Sequence, residues 1–446
     1  MHTQNELQVL KIYILYNGCL RRALDVSRLA AYFRLNKCKI EYLPEQADYI
    51  IFVTCAFIKE KEKECISIIR RLNKYNRKLI VAGCLPGIAS HKIMCGFNKL
   101  PVVIHKISQL DDIFYKFTIK LKDVPDATFI DSSFYLSKNK LKIYYPIIGQ
   151  IFVLFRSVKR LINNARTSKR QYKSPRVYVR IFSKLQQVFN RSCYTRSAFL
   201  RIGGGCLGKC SYCAIRPVIG PLQSKPLEFC LQEYSNLIKS RYRHINIVSD
   251  DIGAYGVDLG ISFAALLQGL SMCDPDKLCT WMLSHLHPRW AIMYAMDIMS
   301  AIQEGRVTSI LSAIQSGSDR ILRLMRRYGD SKQTEEVLLA FRKVNPRLQL
   351  STNIIIGFPS ETDEDVCMTV DSVKRIGFDC VWIFRYSDYE QNASYGLTNK
   401  ISSKIVNKRV SFVKREFVKK NISFVVDDNI QYVKQMKIWR EVKKFL

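Results

Sequence analysis

Acidic residues are missing from Ser132 to Leu227, a stretch that carries 19 Lys or Arg and no Asp or Glu. Nothing inside it offsets the charge, so it is suited to a polyanion, most simply RNA, held through phosphate contacts and counterion release. The same imbalance runs through the chain, where 70 Lys and Arg against 38 Asp and Glu give a net charge of +32. Also missing is an apolar run after a basic start. Met1 to Glu6 is polar, which predicts no secretory signal. With 15 cysteines and no such signal, a secreted disulfide scaffold is disfavoured and a reducing cytoplasm is expected. Tyr144 to Phe155 is apolar, yet too short and too broken by Pro146 and Gly149 to span a bilayer. Followed by Arg156, Lys159 and Arg160, it reads as an amphipathic element packed on the domains, with a membrane surface as the alternative.

What is present describes a globular chain. At 446 residues, 48% hydrophobic and 24% charged, it has room for two or three domains. Lys11 to Tyr16, Asp48 to Thr54 and Lys78 to Ala82 are short apolar runs of buried parallel strands, and Arg21 to Leu35 and Ile58 to Tyr75 are helical. This is the grammar of a wound α/β sheet. A cysteine follows each strand, at Cys19, Cys55 and Cys84. Ligands gather in the loops at the carboxyl ends of such strands, so these three thiols are expected to meet. Cys38, Cys65 and Cys95 read as small core residues.

Cys206, Cys210 and Cys213 stand at C-x3-C-x2-C spacing in a glycine-rich loop. Thiolates are the usual ligands of a 4Fe-4S cluster, and three of them leave one iron open for chemistry. Structural zinc takes four ligands, and no histidine lies beside these three. Gly203, Gly204, Gly205 and Gly208 are expected to let the backbone wrap the cluster, with Tyr212 as a shield from water. From Phe199 six strand-like runs follow: Phe199 to Ile202, His244 to Ser249, Leu278 to Ser284, Val307 to Ala313, Leu348 to Ile356 and Cys380 to Tyr386. Helices such as Leu227 to Lys239, Pro288 to Ile302 and Thr362 to Lys374 separate them, which predicts a parallel, partial (βα)6 barrel with its site at the strand carboxyl ends.

The Cys206, Cys210, Cys213 triad after the first barrel strand resembles that of the radical S-adenosylmethionine (radical SAM) superfamily. Preceded by Asn-Gly-Cys19, Val-Thr-Cys55 and Ala-Gly-Cys84, it resembles the methylthiotransferases of that superfamily over residues 10 to 105 and 196 to 390. The resemblance implies SAM chelated at the open iron, its cleavage to a 5'-deoxyadenosyl radical, and a second 4Fe-4S cluster on Cys19, Cys55 and Cys84 that handles sulfur. Ser249 to Gly256, Ser284 to Pro288, Gln315 to Asp319, Leu324 to Arg327 and Ile356 to Thr362 are similar to the family's strand-end motifs. By that resemblance Asp250, Asp251, Ser284, Gln315 and Gly357 line the SAM pocket, and Gly357 gives backbone access to the adenine. The chain departs from the family at Ser360, where the motif has glycine, and at Tyr386 to Ser394. The small RNA-binding barrel called TRAM is not recognisable after Lys420. The implied division is an N-terminal α/β domain at 1–109, a basic connecting insert at 110–195, the radical SAM barrel at 196–395 and a basic helical tail at 396–446.

The expected function is insertion of a methylthio group at an unactivated C–H bond, with a modified adenosine in tRNA as substrate. One alternative is a protein or peptide side chain. Another, of a different class, is a non-catalytic iron-sulfur RNA-binding protein. A reductase or flavodoxin-type electron donor and a sulfur donor are the further expected partners.

Overall fold

A computed structural model describes residues 9–94, 99–130, 134, 197–327 and 330–427. Cys95, Tyr144 to Phe155, the basic stretch from 135 to 196 and the end of the chain lie outside those residues. The chain forms two compact units, the first taking in Cys213–Gly220 and Ser387–Asn392 besides the N-terminal residues.

In the first unit, β1 (Lys11–Tyr16), β2 (Lys39–Glu41), β3 (Tyr49–Thr54), β4 (Lys78–Gly83) and β5 (Val102–Val103) form a parallel sheet in the order β2-β1-β3-β4-β5. The central strands read as unbroken apolar runs because both faces are covered. Ile12, Ile14, Ile51, Val53, Ile80 and Ala82 enter one core cluster, while Leu15, Ile50, Phe52, Leu79 and Val81 enter the other. Helices α1 (Leu20–Leu35) and α2 (Lys59–Asn73) match the sequence reading; α3 (Cys84–Met94), β2 and β5 are additional. The unit does not stop at residue 109. Leu110, Phe114, Leu121, Val124 and Phe134 are buried in its core, and the Arg28 guanidinium donates to the carbonyls of Val124 at 2.9 Å and Leu121 at 3.0 Å. The start of the expected insert therefore belongs to this unit.

In the second unit, β6 (Ser197–Arg201), β9 (His244–Val248), β10 (Thr280–Leu283), β11 (Val307–Leu311), β12 (Gln349–Ile356), β13 (Cys380–Arg385) and β14 (Ser423–Val426) make a sheet in the order β14-β13-β12-β11-β10-β9-β6. Every pairing in it is parallel. A separate ribbon pairs β7 (Gly203–Gly204) with β8 (Gln223–Ser224). Six of the seven strands are those expected; β14 is a correction to the reading of 396–446 as a separate helical tail. Helix Ser403–Lys419 is basic outside, but Val406, Val410, Val413 and Phe417 are buried at helical spacing, so it packs as part of the barrel and delivers β14 to β13. Ile245 and Ile247 of β9 and Trp281 and Leu283 of β10 go to the core shared with the helices, which turns Asn246 and Met282 to the opposite face. The stretch Pro288 to Ile302 is two helices, Pro288–Met293 and Ala295–Gln303. Among the described residues no single helix is long and apolar enough to cross a membrane.

Candidate active site

In the first unit the sheet brings Cys19, Cys55 and Cys84 together. Cys19 caps the start of α1, Cys55 follows β3, and Cys84 follows β4. Two glycines make the convergence possible: a Cβ on Gly18 would stand 2.1 Å from Cys55 Cβ, and Gly83, at φ +92°, would put one 2.3 Å from the Thr54 carbonyl oxygen. Asn17 Oδ1 accepts the Cys55 amide at 3.1 Å, and Thr54 Oγ1 donates to Ala82 O at 2.6 Å and accepts the Leu85 amide at 3.0 Å. Cys55 hydrogen-bonds to both other thiols. That interaction favours the thiolate of Cys19, holds Cys84 down at about 6 with help from Arg22 and Arg21, and pushes Cys55's own thiol well up. Cys38 and Cys65 are buried as expected of core residues, although Cys65 also bonds Asn17 and lies 3.4 Å from the Cys55 carbonyl oxygen. Among the described residues no three His, Cys, Asp or Glu side chains are set around a single metal ion. Three thiols linked through Cys55, with Arg21 and Arg22 acting on Cys84, are the donor chemistry that an iron-sulfur cluster uses.

In the second unit the loop after β6 carries Cys206 and Cys210; Cys213 opens the segment that belongs to the first unit. Cys206 Sγ accepts the Gly208 amide at 3.2 Å, and a Cβ on Gly208 would lie 3.2 Å from Cys206 Sγ and 3.8 Å from Cys210 Sγ. A side chain at Gly208 would therefore crowd Cys206 Sγ. At Gly203 and Gly205 side chains would instead meet the carbonyl oxygens of Gln223 and Pro221. Arg327 Nη1 donates to Tyr212 Oη at 3.1 Å and stands 3.7 Å from Cys210 Sγ, and its Nη2 donates to the Ala313 carbonyl. Ser211 donates through its amide to Met325 O at 2.9 Å and through Oγ to Leu324 O at 2.8 Å. The Leu324 to Arg327 motif therefore holds the cysteine loop in place.

The five expected pocket residues divide by what they do. Asp250 Oδ2 accepts the Gly205 amide at 2.7 Å and so anchors the cysteine loop. Gly357 sits at φ +88°, its amide donates to Glu361 Oε2 at 2.7 Å, and Val406 fills the space a Cβ would need. Backbone conformation and packing require that glycine. Ser284 is buried, with its amide on Ile247 O at 3.3 Å. Asp251 accepts Trp290 Nε1 at 2.7 Å; burial raises its pKa to about 6 against that bond, and its Oδ1 has no partner. Gln315, at φ +67°, joins β12 through its backbone, and its Oε1 is buried without a partner. Asn246 Oδ1, Ser312 Oγ and Arg327 Nε are further buried atoms in this unit with none. Each such group costs about 1–3 kcal/mol, and acceptors and a donor left open near parallel strand ends fit a ligand with hydroxyl, amino and carboxylate groups, as SAM has. Sequence reasoning missed Trp290, and took Arg327 and the two histidines only as parts of the motifs Leu324 to Arg327 and Ser284 to Pro288. His285, just after β10, is exposed and sits at φ +65°. His287 is held down to about 2 by burial and by Arg327 and Arg289, so it is neutral, and its Nδ1 accepts the Arg289 amide at 3.1 Å.

The parallel barrel and its cysteine loop define a radical SAM protein, and residues 200–373 match the Radical SAM superfamily. Residues 11–104 match "Uncharacterized protein family UPF0004". Carrying both parts in this order, the chain is similar to the radical SAM methylthiotransferases, whose chemistry uses SAM and a 4Fe-4S cluster. It is 27% identical over 408 residues, 90% of this chain and 80% of the relative, to "Ribosomal protein uS12 methylthiotransferase RimO" of Nitratiruptor sp.. It is 28% identical over 385 residues, 85% of this chain and 77% of the relative, to "Probable threonylcarbamoyladenosine tRNA methylthiotransferase" of Pyrococcus horikoshii. In fold it is similar to the cobalamin-dependent S-adenosylmethionine radical enzyme OxsB, with a TM-score of 0.51 at 12% identity over 97% of this chain and 67% of that one.

Proposed function

We propose that this methylthiotransferase carries two 4Fe-4S clusters, on Cys206, Cys210 and Cys213 and on Cys19, Cys55 and Cys84, and that it modifies an adenosine in tRNA. The observation that carries the substrate is charge: a net +32, with 19 basic and no acidic residues from Ser132 to Leu227, suits a phosphate backbone far better than a protein. The relative from Pyrococcus horikoshii is named for a modified adenosine in tRNA, which supports the same choice. A ribosomal-protein side chain is the second reading, favoured by the similarity to RimO proteins over 90% of the chain.

When bound, SAM and its cluster supply one-electron cleavage of a carbon–sulfur bond, and the second cluster supplies sulfur. The chain's own part is to bind and to orient. Asp250, Ser211 and Arg327 fix the loop of Cys206 and Cys210. Asp251 and Gln315 offer open acceptors to the hydroxyl and amino groups of SAM, and the buried Ser284 a hydroxyl. Neutral His287 adds no charge to that region. An electron from a reductase or flavodoxin-type protein and sulfur from a donor, both in a reducing cytoplasm, complete the proposal.

Mass spectrometry of tRNA nucleosides and of ribosomal proteins from cells with and without the gene tests the substrate. A methylthio-adenosine lost with the gene is expected; a methylthio group lost from a ribosomal protein instead overturns the tRNA assignment. Iron analysis tests the sites. Changing Cys19, Cys55 and Cys84 to Ala should lower iron from about eight to about four per chain and leave SAM cleavage intact, on the stoichiometry of two cubane clusters.

A further inference from the structure

Arg22 lies in the first turn of α1, three residues after Cys19, the extended residue that precedes the helix, and its backbone amide donates to the Cys19 sulfur. It is 6% exposed. One end of its guanidinium is held, with Nη1 2.8 Å from Oδ2 of the equally buried Asp25. The other end is not: Nε is buried with no hydrogen-bond partner. Burial acts against the charge on Arg22, yet Cys84, then Asp25, Cys19 and Cys55 outweigh it, so all three thiols lie within its field. A buried donor left open costs about 1–3 kcal/mol and calls for an acceptor at that place. Asp25 is already used, and the other groups that act on the Arg22 charge are the thiols of Cys84, Cys19 and Cys55.

We propose that Arg22 is a positioning residue for the cluster of the first unit: it donates its open Nε–H to sulfur there, with Asp25 fixing the guanidinium, and so raises the cluster's reduction potential. This rests on the reading that Cys19, Cys55 and Cys84 hold a cluster. Reduction adds negative charge to a site that is already anionic, and hydrogen bonds to the sulfurs together with a nearby cation stabilise the reduced form. Arg22 also restrains the turn that presents Cys19, since its ion pair to Asp25 closes the first turn of α1.

The test uses the full chain with Cys206, Cys210 and Cys213 changed to Ala, reconstituted anaerobically with iron and sulfide, so that any iron reports the first unit alone. No cluster in this parent would overturn the cluster reading itself and is read before any Arg22 variant is made. With a cluster present, Arg22→Met should shift the midpoint potential to more negative values and alter the reduced-state electron paramagnetic resonance spectrum. Arg22→Lys, which keeps the charge and the pairing with Asp25 but not the planar N–H fork, should shift the potential less in the same direction. A purely structural arginine would lower the melting temperature and leave the potential where it was, and that result overturns the proposal. Should Arg22→Met fail to fold, Arg22→Lys decides alone: a negative shift supports the role, and a potential equal to the parent's removes it.

Discussion

Glu361 carries a carboxyl whose side chain is 1% exposed, with its Oε2 on the Gly357 amide at 2.7 Å and Arg409 Nη1 at 3.4 Å. Burial pushes its pKa from 4.5 to about 7, more than the Gly357 amide and Arg409 pull it down. A carboxyl whose folded pKa lies above its unfolded one stabilises the fold through its protonated form. That contribution is complete below about pH 4.5 and is lost as the pH climbs through about 7. The difference amounts to up to about 3 kcal/mol at 1.36 kcal/mol per unit. Urea titrations from pH 4.5 to 8 should therefore show Glu361→Gln gaining on the wild type as the pH rises; a pH-independent difference would refute the assignment. The same turn shows how far single residues can be read. Ser360 stands out in sequence as a departure from glycine, and in the structure it sits at φ +64°, the left-handed region that disfavours a side chain. Cys206, Cys210 and Cys213 stand out by their spacing, and Cys19, Cys55 and Cys84 by following strands. Arg22 and Trp290 were not legible, because what distinguishes them is a buried donor without a partner and a bond to Asp251, 39 positions away, and neither leaves a local pattern.

Asp365 shows how the helices of the barrel are held to one another. Its carboxylate accepts the Thr362 amide at 2.8 Å, closing a capping box at the start of helix Asp363–Ile376, and it also takes the Ser318 hydroxyl and the Arg320 guanidinium. Ser318 in turn caps helix Asp319–Leu324. One buried side chain thus joins the helix starts that follow β11 and β12. Asp365→Ala removes the return bond of the capping box to the Thr362 amide, worth about 1 kcal/mol. It also strands the buried Ser318 hydroxyl at a cost of about 1–3 kcal/mol. A loss of about 2–4 kcal/mol in chemical denaturation is expected, with Asp365→Asn recovering part of it; a loss under about 0.5 kcal/mol would mean that the two helix starts are independent. At this scale the sequence was a good guide wherever strands are buried on both faces, since continuous apolar runs such as Ile50 to Val53 mark them directly. It was a poor guide to β14, whose four residues follow a basic helix and whose strand character comes from pairing with β13. The edge strands β2 and β5, of three and two residues, are too short to carry any periodicity.

For the whole molecule, charge is the property that chooses between the two readings of the substrate. The described barrel offsets much of its own basic charge through ion pairs such as Arg306 with Asp274, Arg342 with Asp379 and Lys374 with Glu416. The stretch from Ser132 to Leu227 has no acidic residue of its own with which to do so. If it is the surface that meets RNA, changing Arg156, Lys159, Arg160, Lys169 and Arg170 to Glu removes phosphate contacts one by one. Each lost contact lowers the salt dependence of binding by roughly one unit of log K per log salt. Filter binding of tRNA across a salt titration should then show a steep loss of affinity and a flatter slope, while iron content and SAM cleavage without substrate stay as in the parent, because these residues precede β6. Binding to anionic vesicles, measured on the same variant, addresses the membrane alternative: a loss confined to vesicles would mean that the charge flanks a membrane-surface element at Ile147 to Phe155. Unchanged tRNA affinity at every salt concentration would remove the acid-free stretch as the RNA surface, whatever the vesicles show, and with it the main argument for tRNA over a ribosomal protein.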